Sequence, residues 1–141
     1  MAKIYRIEGD IRITHTLYNE ICEELMIIGD VATELSEIPV QFSYYHGIMV
    51  KSKRLLDDVV DRFEQYKSGV RTEKRKEGKL TAVAGEDFVN SLANTATLNN
   101  EVQIRQEIYG YAKGICNSLE MKKDMLVQLS ANSRQEIKLY Q

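Results

Sequence analysis

The chain has 141 residues, 43% of them hydrophobic and 28% charged, with a formal net charge of −2. That is the length and balance of one ordinary globular domain. No stretch approaches the roughly 20 apolar residues of a membrane span, and the start, MAKIYRIEGDIRITHT, has neither a hydrophobic signal core nor a small-residue cleavage site, so a cytoplasmic protein with no membrane partner is expected.

A single Pro and an abundance of Glu, Lys, Leu, Ile and Gln favour long helices, and the expected fold class is all-α. Cys22 and Cys116 lie far apart and form no Cys-x-x-Cys pair. They read as reduced, buried small hydrophobes.

Residues 1–14 alternate apolar and polar, with Ile4, Arg6 and Ile7, then Ile11, Arg12 and Ile13, around Gly9-Asp10. This pattern predicts a short extended or hairpin arm, too small to be stable unless it docks. Thr14 or Thr16 suits a helix cap, and Leu17, Ile21, Leu25, Ile28, Ala32 and Leu35 recur at helical spacing up to Ser36-Glu37-Ile38-Pro39.

Pro39 fits the first turn of a second helix. From there Phe42, Tyr45, Met49, Ser52, Leu56, Val59, Phe63 and Tyr66 form a near-heptad seam that Gly69 ends. Residues 15–68 therefore read as a helical hairpin.

Residues 69–85 hold Gly69, Gly78 and Gly85 and read as a mobile basic connection. Glu86-Asp87 suits the start of a last helical region, 86–139. Its stripe is weak through Phe88, Leu92 and Thr95, and Asn99-Asn100-Glu101 interrupts or recaps it. It then strengthens at Val102, Ile108, Tyr109, Ala112, Ile115, Leu119, Leu126, Leu129 and Ile137. Seams this long in a slim chain point to oligomeric packing. Leu119, Leu126 and Leu129 are the candidate interface stripe. Gly110 and Gly114, four apart in mid-helix, either allow close approach of another backbone or are simply tolerated.

Catalytic signals are absent. Asp57, Asp61 and Glu64 share a helix face with Asp58 nearby, but no His joins them, and a solvated face is the better reading. His15 and His46 have no partner at ligand spacing, so no metal site is expected. Gly78-Lys79-Leu80-Thr81 fails as a phosphate-binding loop, because Lys74 stands where that loop needs Gly and Leu80 replaces Ser or Thr. The chain is not expected to be an enzyme or to use a cofactor.

What stands out is YKSGVRTEKRKEGK, residues 66–79. Lys67, Arg71, Lys74, Arg75, Lys76 and Lys79 face only Glu73 and Glu77, so this stretch carries +4 and the rest of the chain −6. A charge run is usually a solvated face. Here the charge is concentrated, flanked by glycines, and entered past Phe63 and Tyr66. Cations beside aromatics fit single-stranded nucleic acid, the cations tracking phosphates and the rings stacking on bases. The same two rings also continue the seam and so also read as core.

Residues 42–138 resemble the UvsY-type recombination mediators of tailed phages, in pattern more than in identity. That family has an Arg-aromatic-acidic stretch running into Tyr, a small residue and Gly, and Arg62–Gly69, RFEQYKSG, stands at that place. A polar loop follows, then Leu92 and Leu98 around ANTAT, and a long helix ending in SRQEIK, 133–138. The family often has a cation two residues before its Arg, whereas this chain has Val60 and carries its cations downstream.

The resemblance implies a homo-oligomeric, hexamer-like helical ring that binds single-stranded DNA, with Arg62 joining the cations of the arm. It implies mediation by binding alone, loading a RecA-like recombinase by loosening single-strand-binding protein. A competing reading is a structural or scaffolding helical oligomer of a phage particle, which needs the seams but not the arm.

Overall fold

The computed structural model describes Ile7, residues 11–76 and residues 92–139. Among them there are three helices and no strand: α1, His15–Leu25; α2, Val31–Lys76; and α3, Ala93–Leu139. The fold is all-α. The described residues group into two compact units, within Met1–Ser52 plus Ile108–Gln141 and within Lys53–Glu107.

In the first unit the described part of the arm, Ile7 and residues 11–14, is not helical and packs on the helices. Ile11 and Ile13 are buried, and the Ile7 amide donates to the Tyr44 hydroxyl at 2.7 Å. The remainder of 1–10 lies outside the described residues. Thr14, extended at φ −82° and ψ 162°, caps α1 by accepting from the Leu17 amide at 3.1 Å. α1 buries Ile21 and Leu25.

The stripe Leu17–Leu35 does not belong to one helix. The chain leaves helix after Leu25, and Asp30 starts a new one. The Asp30 carboxylate accepts from the Thr33 amide at 3.1 Å and the Thr33 hydroxyl at 2.9 Å, while Glu34 reaches back to the Gly29 amide at 3.4 Å. This reciprocal arrangement has the logic of a capping box. It fixes the start of α2 eight residues before Pro39, which therefore lies inside the helix and not in its first turn. The proline forfeits one backbone N–H there.

The first unit's core is built from α1, the first part of α2 and the last part of α3. Ile21, Leu25, Ile38, Tyr45, Ile48, Ile108, Ala112, Ile115, Cys116, Leu119 and Leu126 are all buried. In the second unit Leu56 and Val59 of α2 and Thr95 and Val102 of α3 are buried. The seam of α2 is thus real, with Tyr45, Ser52, Leu56 and Val59 all inward. The chain's own helices bury these four positions, while Phe42, Met49, Phe63 and Tyr66 of the same seam stay half-buried.

Gly69 does not end α2, which runs on through Lys76. The segment after it is rich in Arg, Lys and Glu, good helix formers that offset one glycine. Lys74, Arg75 and Lys76 also complement the negative end of the helix dipole. Residues 69–76 of the expected mobile connection are therefore helical, and 77–85 lie outside the described residues, as does the expected start at Glu86-Asp87. Asn99-Asn100-Glu101 causes no interruption, because α3 is continuous.

Candidate nucleic-acid interface

Helical geometry sorts the cations of α2 by face. At about 100° per residue, Phe63, Lys67, Arg71 and Lys74 follow one stripe. Lys67, Arg71 and Lys74 are all half-buried along it. Arg75 borders the stripe and is exposed. Arg62 and Lys76, also exposed, lie on other faces of the helix. The structure thus brings Lys67, Arg71, Lys74 and Arg75 together and sets Arg62 and Lys76 apart. Lys79 lies outside the described residues.

Lys67 is held by two contacts of its own helix. Its side chain is only 19% exposed, with the ammonium 2.9 Å from the Glu64 carboxylate and 4.3 Å from the centre of the Phe63 ring. The stem covers apolar surface while the charge stays at the edge. Opposite stands α3. Phe63 and Lys67 line a cavity of about 390 Å³ with Thr95, Ala96 and Asn99. Asn99 belongs to the polar triplet expected to break the helix; instead it supplies an amide beside a ring and a cation. Nothing in the sequence marks that pairing, because the register of α2 against α3 is a tertiary property.

The carboxylate cluster of α2 at 57, 58, 61 and 64 is solvated, as its spacing suggested. Asp57 pairs with Lys53 at 3.1 Å, both well exposed, and Asp58, Asp61 and Glu64 are exposed. Among the described residues no group of three or more His, Cys, Asp or Glu could hold a metal ion. His15 lies 6.0 Å from the Tyr111 ring and His46 stacks on Phe42 at 5.6 Å. Both cysteines are free thiols. Cys116 is buried, and Cys22 is half-buried with its Sγ 3.8 Å from the Ser118 hydroxyl. Burial pushes the Cys116 thiol up.

The candidate interface on α3 needs correction at three positions. Leu119 and Leu126 are fully buried in the core of their own unit. Gly114 is approached by an aromatic ring of the same chain, since a β-carbon there would stand 2.9 Å from the Tyr18 hydroxyl oxygen. Gly110 faces open space and Leu129 is 40% exposed. Beyond Leu129, residues 131–139 are exposed throughout, Ile137 and Leu139 among them. Exposed apolar positions thus cluster at the end of α3, at Val127, Leu129, Ile137 and Leu139, while others stand elsewhere, at Met26–Ile28, Val40, Val50, Ile104 and Met121.

No helix among the described residues is long and apolar enough to cross a membrane. Among known protein families, curated proteins and solved structures, none matches the chain.

Proposed function

We propose that the protein binds single-stranded DNA along the last turns of α2. The observation that carries this reading is the stripe Phe63, Lys67, Arg71 and Lys74, an aromatic ring and a row of cations on one helix face of a chain with net negative charge. A rigid helix holds cations at fixed intervals, so they meet phosphates with less ordering cost than a floppy arm would. Cations of this kind grip the backbone and read no bases, so sequence preference is slight.

The resemblance to the UvsY-type mediators extends the reading. In that role the protein is a homo-oligomer, a hexamer-like ring, that loads a RecA-like recombinase onto DNA covered by single-strand-binding protein. The exposed apolar positions at the end of α3, Leu129, Ile137 and Leu139, are the surface on which copies associate. A purely structural phage oligomer needs that surface too, but gives the cations of α2 no task.

Charge reversal separates the two. Lys74, Arg75 and Lys76 changed together to Glu weaken binding of a labelled single-stranded oligonucleotide for every sequence alike and flatten its salt dependence. Circular dichroism checks that the end of α2 stays helical. Unchanged affinity in a folded triple variant removes these cations from the site and favours the structural oligomer.

A further inference from the structure

We infer that the pocket between Phe63 and Lys67 of α2 and Thr95, Ala96 and Asn99 of α3 seats one nucleobase of the bound strand. This inference rests on the proposed binding of single-stranded DNA and adds what the cations alone do not supply, a contact to the base.

The pocket measures about 390 Å³, within the range of small-ligand sites. Its lining has the chemistry that a base requires. Phe63 offers an aromatic face. Ala96 is small and leaves room beside it. The Asn99 amide carries donors and an acceptor for the edge of a base. Lys67 supplies a positive charge within one side-chain length of the ring.

The ammonium of Lys67 now rests over the Phe63 ring at 4.3 Å and against Glu64 at 2.9 Å. Both contacts are exchangeable. An arriving phosphate competes with Glu64 for the ammonium and draws it off the ring, and the ring face it covered passes to the base. The cation therefore acts as a placeholder, keeping the ring from being capped by other apolar groups while no strand is bound. Charge complementarity sets the occupant: Arg71, Lys74 and Arg75 continue along α2 from the pocket, so a polyanion led along them delivers a base beside Phe63.

The experiment compares an oligothymidylate with an abasic oligonucleotide of the same length and backbone, by fluorescence anisotropy. The expected result is tighter binding of the base-bearing strand by about 5- to 150-fold per stacked base. Phe63→Leu, which keeps an apolar side chain but removes the ring, brings the two strands together, and Asn99→Ala narrows the gap in part. The chain has no Trp, so Phe63→Trp adds a single indole whose emission is quenched by the thymidylate and not by the abasic strand. Equal affinity of the two strands for the unaltered protein, with no quenching in the Trp variant, overturns the base seat and leaves backbone binding intact. If neither strand binds, the reading of the protein as a DNA binder fails and the seat fails with it.

Discussion

Lys122, with its side chain only 1% exposed, donates to the Glu34 carboxylate at 2.6 Å and so ties α3 to the first turn of α2. Residues 88 apart in sequence are joined by the most deeply buried charge described. The same Glu34 reaches the Gly29 amide, so one carboxylate serves both the capping turn and the tertiary contact.

Removing one member of such a pair costs about 3–5 kcal/mol when the other is left buried. Glu34→Gln is expected to be the more damaging change, because it strands the ammonium, whereas Lys122→Met strands a carboxylate that is 17% exposed and reaches water more readily. Replacing both together recovers much of the loss. Chemical denaturation of the two single variants and the double variant checks the order, and equal, additive losses would show that the two groups do not depend on each other.

The pair also sets an acid limit. The hydrogen bond from Lys122 holds the Glu34 carboxyl below the ordinary glutamate value of 4.5. The hydrogen bond from the Thr33 side chain likewise lowers Asp30. A group whose pKa is depressed on folding stabilises the fold above its unfolded value and loses that contribution as pH falls through the folded one. Stability is therefore expected to be level from neutral pH down to about 4.5 as far as these groups are concerned, and to fall below it. In Glu34→Gln the acid decline is shallower. Melting temperature against pH for the two proteins checks this.

The two glycines of the α3 pair should respond oppositely to substitution. A β-carbon at Gly110 meets nothing within 4 Å, so Gly110→Ala raises stability by up to about 1 kcal/mol through helix propensity alone. At Gly114 the new carbon stands 3.0 Å from Cε2 and 3.2 Å from Cζ of Tyr18, whose ring is held 5.1 Å from Tyr111. Pushing that ring aside costs about 1–3 kcal/mol, which outweighs the gain. Thermal melts of the two variants should shift in opposite directions.

Thiol chemistry distinguishes the two cysteines. Cys116 is buried and its thiolate is disfavoured, while Cys22 is half-buried near the edge of the core. A thiol reagent applied to the native protein is expected to modify Cys22 first and Cys116 only as the fold opens. Modification of both at one rate would contradict the burial of Cys116 in the core of its unit.

Much of this architecture was legible. The Thr14 cap, the seam Tyr45–Ser52–Leu56–Val59 and the stripe Ile108–Ala112–Ile115–Leu119 follow from local chemistry and spacing, and all are where the pattern puts them. The break at 26–30 was not, because Ile28, Ala32 and Leu35 continue the phase of α1 and hide the change of helix; Asp30 with Glu34 four residues on was the signal to weigh. Pro39 and Gly69 misled for a shared reason. Both are local breakers, and packing plus good helix-forming neighbours overrode them. The identity of the surface covering each seam was beyond reach, since periodicity shows that a face is buried and not by whom. The cavity beside Phe63 was hidden likewise, although Phe63, Lys67 and Asn99 were each visible in the sequence.

Self-association tests the end of α3. Ending the chain after Asn117 would delete Leu119, Lys122 and Leu126 and unmake the core of the first unit. Ending it after Asn132 instead removes only exposed helix and the last two residues. The shortened protein is expected to keep its melting behaviour and to sediment as a smaller species than the full chain. An unchanged assembly size moves the contact elsewhere, and a full chain that is monomeric at tens of micromolar, roughly the range in which an obligate oligomer persists, ends the ring.

The most direct test of DNA binding is the salt dependence of affinity for a labelled single-stranded oligonucleotide. Each phosphate neutralised contributes about −0.7 to the slope of log K against log salt. Three or four cations among Lys67, Arg71, Lys74 and Arg75 therefore give a slope of roughly −2 to −3 per protomer bound. That slope should drop toward zero in the variant carrying Glu at 74, 75 and 76. Absence of binding at low salt, or binding whose strength does not change with salt, would contradict a strand held by its phosphates on α2.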